Sequence, residues 1–154
     1  MVTLKLCIVT LFLEVVIMKN NQIEHKLPEF TCSLFERADI LKAREGIENL
    51  CEKVGFERHN LLKVLSCVSD IQREFLRGLD GVESAAGRID RKNGTGIFIV
   101  ISGKIRDGPD AETPDKIYNG LNRNFEKKRN FFEESKLTRG PPLMLTLELT
   151  KWRN

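Results

Sequence analysis

Asp70, Arg73, Glu74 and Arg77 stand three and four residues apart in the stretch SDIQREFLR, residues 69–77. On a helix such spacings bring side chains to one face, where an ion pair is worth about 0.2–0.5 kcal/mol. The four charges can be a solvated ladder that only decorates the helix. They can also be what remains of a site.

Other chemistry-bearing residues are sparse. The cysteines are Cys7, Cys32, Cys51 and Cys67, none at CxxC spacing, and the histidines are His25 and His59. A zinc site needs such ligands in a cluster, so metal binding through sulfur is not expected. Cys51 and Cys67 fall within apolar helical patterns and read as small buried residues. Unpaired thiols point to a reducing, cytoplasmic setting. Arg123, Lys127, Lys128 and Arg129 form a basic cluster, the raw material of a nucleic-acid-binding module. Glu126, Glu133 and Glu134 interrupt it, and Phe125, Phe131 and Phe132 look like core on a helical period instead of base-stacking residues. A solvated helix face is therefore expected, and nucleic acid is not the expected partner.

A chain of 154 residues is long enough for one domain with a real core and short for two. A net charge of +3 is too mild to imply a polyanionic ligand. The opening MVTLKLCIVTLFLEVVI is apolar, but its run from Leu6 to Leu13 stops at Glu14. That is too short to span a bilayer, and the flanks do not suit a signal peptide, so no membrane role is expected. Residues 1–17 read either as an extra strand or as translated upstream sequence. Met18 is the preferred start, with a single domain over 18–154.

The elements that must position the charged stretch are legible from Glu29 onward. FTCSLF, bounded by Pro28, reads as a strand. A helix is expected over 37–54, with Ile40, Ala43, Ile47, Leu50 and Val54 on its inner face and Gly55 as its stop. A second is expected over 60–79, capped by Asn60, with Leu61, Val64, Leu65, Val68, Ile71 and Phe75 inward and the charges of 70–77 outward. The glycine-broken stretch 81–96 reads as a connection to IFIVIS, a central strand covered on both sides. Thr113 as N-cap and Pro114 at the first helical position open a third helix carrying Ile117, Leu121, Phe125 and Phe132. GPP at 140–142 ends the irregular part, and LMLTLELTKW closes the chain as a strand with alternating leucines. The expected fold is a two-layer α/β (α+β) sandwich: a mixed, largely antiparallel sheet covered on one face by three helices.

The order of these pieces resembles the anti-sigma-factor and switch-kinase branch of the GHKL (histidine kinase-like, Bergerat-fold) ATPases. RADILKAREGIENLCEKVGF is similar to the opening helix of that branch, with its alanine-arginine pair at Ala43 and Arg44 and its glycine-phenylalanine ending at Gly55 and Phe56. KVLSCVSDIQREFLR resembles the next helix, which carries the nucleotide motif called the N-box. LTLELTKW is similar to the closing strand, which often ends in a lysine-tryptophan pair, here Lys151 and Trp152. The resemblance covers residues 29–152.

The resemblance implies a role for the charged stretch. The N-box pairs an acid, which polarises the attacking group, with an asparagine whose oxygen ligates the magnesium of ATP. Asp70 falls on the acidic position, Arg73 matches an arginine common in the branch, and Glu74 stands where asparagine belongs. A second carboxylate beside the triphosphate is costly: at an effective dielectric near 20, like charges ~4 Å apart repel by on the order of 4 kcal/mol. The adenine box, D-x-G-x-G after a strand, is echoed only by Asp107, Gly108 and Pro109, with Asp110 in place of the second glycine and several residues beyond IFIVIS. Residues 118–137, where a glycine-rich phosphate lid is expected, hold only Gly120 and many large side chains.

The implied function is that of a bacterial, cytoplasmic transcription regulator with a degenerate nucleotide site. It acts by binding a protein regulator, with Asp70, Arg73 and Arg77 at the contact and no cofactor needed. The alternative within the family is an active ATP- and magnesium-dependent serine kinase with Asp70 as general base. From another class, the basic cluster would serve nucleic acid. The partner and the oligomeric state, homodimer included, are left open.

Overall fold

The computed structural model describes residues 25–106, 113–141 and 143–153. Along the chain run β1 (His25–Leu34), α1 (Arg37–Val54), α2 (Arg58–Gly78), β2 (Leu79–Arg91), β3 (Gly94–Ile105), α3 (Pro114–Arg129), β4 (Glu134–Gly140) and β5 (Met144–Trp152). The five strands form one sheet in the order β1-β2-β3-β5-β4. Every pairing among the described residues is antiparallel, so no mixed pairing occurs among them. Residues 1–24, the preferred start Met18 and the motif at Asp107 and Gly108 lie outside the described residues.

Both long helices form where apolar residues recur at three- and four-residue intervals. Ile40, Ala43, Ile47, Leu50 and Val54 of α1 are all buried, and so are Leu61, Val64, Leu65, Val68, Ile71 and Phe75 of α2. At the start of α1 the Asp39 carboxylate accepts hydrogen bonds from the Phe35 and Glu36 amides, 2.8 and 3.0 Å. Those two bonds, Phe35 first, hold the Asp39 carboxyl below the usual carboxylate range. Gly55 ends α1 with φ at 93°, in the left-handed region that glycine enters without penalty. Arg153 at the far end of the chain donates to the freed Val54 carbonyl, 3.0 Å. The Phe30 ring occupies the space that a side chain at Gly46 would need, so β1 and α1 approach closely there.

The helices lie on one face of the sheet. Ile97, Ile99 and Ile101 of β3 and Leu145, Leu147 and Leu149 of β5 join the helical residues in a single core. β3 is central, as its apolar run suggests, but its alternate residue Phe98 points to the other face. There it packs with Ile89, Val100 and Trp152 in a separate cluster. Among the described residues the helices therefore cover one side of β3, not both.

Further expectations need correction. β1 begins at His25 and runs through Pro28 with an irregularity between Pro28 and Phe30, which an edge strand tolerates. α2 starts at Arg58 with Glu57 as N-cap, so Asn60 lies within its first turn. The stretch after Gly81 is not a connection but β2, paired on both sides by β1 and β3. The segment before GPP contains an edge strand, β4, and Phe131 and Phe132 sit in the turn after α3 instead of within it. α3 itself opens as read, with the Thr113 hydroxyl accepting from the Lys116 amide.

Candidate functional site

α2 fixes the geometry of the charged stretch. Its buried line runs through Leu61, Val64, Leu65, Val68, Ile71 and Phe75, which leaves Asp70, Arg73, Glu74 and Arg77 on the flank and outer side. Arg73 Nη1 donates to Asp70 Oδ1 at 2.9 Å, and Arg77 Nη1 donates to Glu74 Oε1 at 2.9 Å. All four expected residues are thus brought together, but as two separate i,i+3 pairs. Arg73 and Arg77 side chains are 51% and 74% exposed, so each pair contributes only a fraction of a kcal/mol in water.

Leu62, 45% exposed, begins the same outer face. Leu62, Ser66, Arg73 and Arg77 follow one another at helical spacing, an apolar residue leading into two cations. On the flank nearer α3, Cys67 is raised above its ordinary thiol value. Burial is the main cause, and Lys63, Asp70 and Lys128 act on it through charge. The thiol therefore marks where α2 and the end of α3 come together.

The segment for which the sequence resemblance implies a phosphate lid forms α3 and the turn behind it. Phe125 of α3 stacks on Phe75 of α2 with ring centroids 5.8 Å apart. The 114–129 backbone is helical, so its amides beyond the first turn bond within the helix instead of pointing at a ligand. Behind it, Lys151 donates to the Phe131 carbonyl at 3.2 Å and to Glu133 Oε1 at 2.9 Å. Lys151 Nζ lies 4.3 Å from the Phe131 ring centre, and Lys63 Nζ lies 4.9 Å from it. At the other end Arg139 of β4 pairs with Asp115 of α3.

β3 continues through Ile105, so Asp107 follows the end of the strand by two residues. No group of three or more His, Cys, Asp or Glu side chains placed to hold a metal ion occurs among the described residues.

Sequence reasoning missed two buried polar residues beside this face. Ser69 is 3% exposed, and Gln72, fully buried, donates from Nε2 to Ser84 Oγ at 3.1 Å. Their place on the inner side of α2 follows from the same helical period that locates Val68 and Ile71. The bond ties α2 to β2 beneath the charged flank and so sets which way that flank points.

Of the basic cluster, Arg123 lines an open cleft of about 490 Å³ with Asn119, Asn122, Glu126, Asn130 and Ser135. The cleft is polar and mixed in charge, without a stacked aromatic among its lining residues. No helix among the described residues is long and apolar enough to cross a membrane.

No protein-family model matches the chain, and no curated protein matches it.

Proposed function

We propose that this protein is a regulator of the anti-sigma and switch-kinase type that works by binding another protein, with a nucleotide site that no longer functions. The observation that carries the reading is the segment 118–137, where a glycine-rich lid would be needed. It forms most of α3, the Phe131–Phe132 turn and the start of β4. A helix locked by the Phe75–Phe125 stack has few amides to offer a triphosphate.

Two further features support it. Asp70 and Glu74 are each engaged by an arginine one turn on, an arrangement that stands without a cation. The outer face of α2, with Leu62 among Ser66, Arg73 and Arg77, combines an apolar residue with exposed guanidiniums, a composition suited to protein contacts.

Affinity capture with wild type, Asp70→Ala and Arg73→Ala side by side tests the proposal. It expects a protein regulator that co-purifies with wild type and is lost from both variants. The same set of captured proteins in all three would contradict it.

A further inference from the structure

α3 and its C-cap carry a polar stripe. Asn119, Asn122, Arg123, Glu126 and Asn130 follow one another at helical spacing, so their side chains share one face. Leu121 and Phe125, which interrupt them in sequence, turn the other way into the core. With Ser135 of β4 the stripe walls the open cleft of about 490 Å³. Arg123 and Glu126 stand three residues apart in that wall, the same spacing as Asp70 with Arg73 and Glu74 with Arg77 on α2. The α2 charges close into ion pairs at 2.9 Å. Arg123 and Glu126 form no ion pair or side-chain hydrogen bond among the described residues, and the same is true of the Asn119 and Asn130 side chains. The order of the charges accounts for the difference, since an acid N-terminal to its cation is the favourable arrangement on a helix and here the cation comes first. One unengaged guanidinium, one unengaged carboxylate and two unengaged carboxamides therefore open on a single cleft.

We propose that this cleft binds a small zwitterion of the amino-acid class, a free amino acid with a polar side chain or a dipeptide. Its carboxylate sits on the Arg123 fork, its ammonium sits against the Glu126 carboxylate, and the asparagines meet its amide and side-chain groups. Charge decides against the other ligand classes. A phosphate or polyanion would meet Glu126 as a like charge. A nucleobase or sugar ring finds no aromatic side chain to stack on among the lining residues, and an apolar ligand faces polar walls. A zwitterion satisfies both charges at once, and a guanidinium holds a carboxylate through two parallel hydrogen bonds. Size agrees. From Asn119 to Glu126 the helix rises about 10 Å, at ~1.5 Å per residue. Two extended residues, at about 3.5 Å each, fit within that length. The inference is independent of the proposed function, which rests on α2 and its charged face.

Backbone amide shifts of the isotope-labelled full chain, followed by NMR during titration to millimolar ligand, test the proposal. The ligands are glutamine, glycylglutamine, N-acetylglutaminamide as the form with both charges capped, and inorganic phosphate. Saturable shifts are expected at Asn119, Asn122, Arg123, Glu126 and Ser135 with glutamine or glycylglutamine and not with the capped form. The tighter of the two zwitterions tells the amino acid from the dipeptide. Arg123→Gln and Glu126→Gln should each weaken binding about tenfold, as the loss of one charge-assisted contact does. Both side chains are exposed, so the melting temperature should stay unchanged in each variant. No saturable shift at these residues with either zwitterion would overturn the proposal. Equal binding of the capped form, or undiminished binding in both variants, would overturn it as well. Phosphate that binds more tightly than either zwitterion would make the cleft an anion site and also overturn it.

Discussion

Phe75 of α2 and Phe125 of α3 lie 5.8 Å apart between ring centres and within 11° of parallel, both fully buried. That stack joins the helix with the charged face to the helix that spans the segment where the proposed family resemblance would place a phosphate lid. Because both rings are also part of the main core, α3 is anchored to the domain and does not hang over it as a loop.

Phe125→Ala should therefore cost about 3–5 kcal/mol, as truncation of a buried aromatic does. Urea unfolding is the check, with a lower midpoint and an unchanged slope. A change below 1 kcal/mol, expected only of a poorly packed ring, would mean that Phe125 closes a ligand pocket instead of filling a core.

The turn after α3 depends on Lys151, a lysine only 8% exposed. Its ammonium engages Glu133 and the Phe131 carbonyl, and the other Glu133 oxygen accepts from the Trp152 amide. Lys151→Ala removes the donor and leaves those acceptors poorly satisfied, a loss of about 1–3 kcal/mol. Thermal unfolding of the variant against Glu133→Gln and the double variant would show whether the two residues act as one unit.

Acid should weaken α1 first. The Asp39 carboxyl is held below the usual carboxylate range by the Phe35 and Glu36 amides. The unfolded chain therefore takes up this proton at a higher pH than the folded one. The stability from Asp39 is present above the unfolded value, near about 3.9, and is lost as pH falls through the lower folded value. The stability difference between wild type and Asp39→Asn, measured by urea unfolding, should shrink as pH falls through that window.

Arg73→Ala and Asp70→Ala should leave stability almost untouched, with changes of about 0.2–0.5 kcal/mol as for exposed helix pairs. Circular dichroism melts decide this. A collapse of stability in Arg73→Ala would make the arginine a structural clamp and remove it from the proposed partner surface.

Helical period made α1, α2 and most of α3 legible, since Ile40 to Val54 and Leu61 to Phe75 repeat without interruption. β2 was not legible. Gly81 has φ at 57° beside an irregularity between Asp80 and Glu83, and the strand continues through Ser84, Ala85, Ala86 and Gly87. Ser84 and Ala86 are fully buried beneath the helices, where room for larger side chains is short. Small residues chosen for close packing look locally like a loop. β4 has a single deeply buried residue, Leu137, and is a strand only through its pairing with β5.

The charged face of α2 was legible as a face, because spacing alone puts Asp70, Arg73, Glu74 and Arg77 side by side. Which partner each carboxylate takes was not, since that depends on side-chain rotamers. Nor did the sequence separate the two sides of β3: IFIVIS is apolar throughout, and only the register tells Phe98 from Ile97 and Ile99.

Calorimetric titration of wild type and Glu74→Asn with magnesium-ATP, carried to millimolar nucleotide, tests the central claim most directly. Glu74→Asn supplies the asparagine that the proposed N-box resemblance calls for and removes one negative charge. If α3 truly fills the place of the lid, that single change supplies no cradle for the phosphates. Neither protein should then give saturable heat. Saturable binding by wild type, or binding that emerges in Glu74→Asn, would contradict the account of a silent nucleotide site.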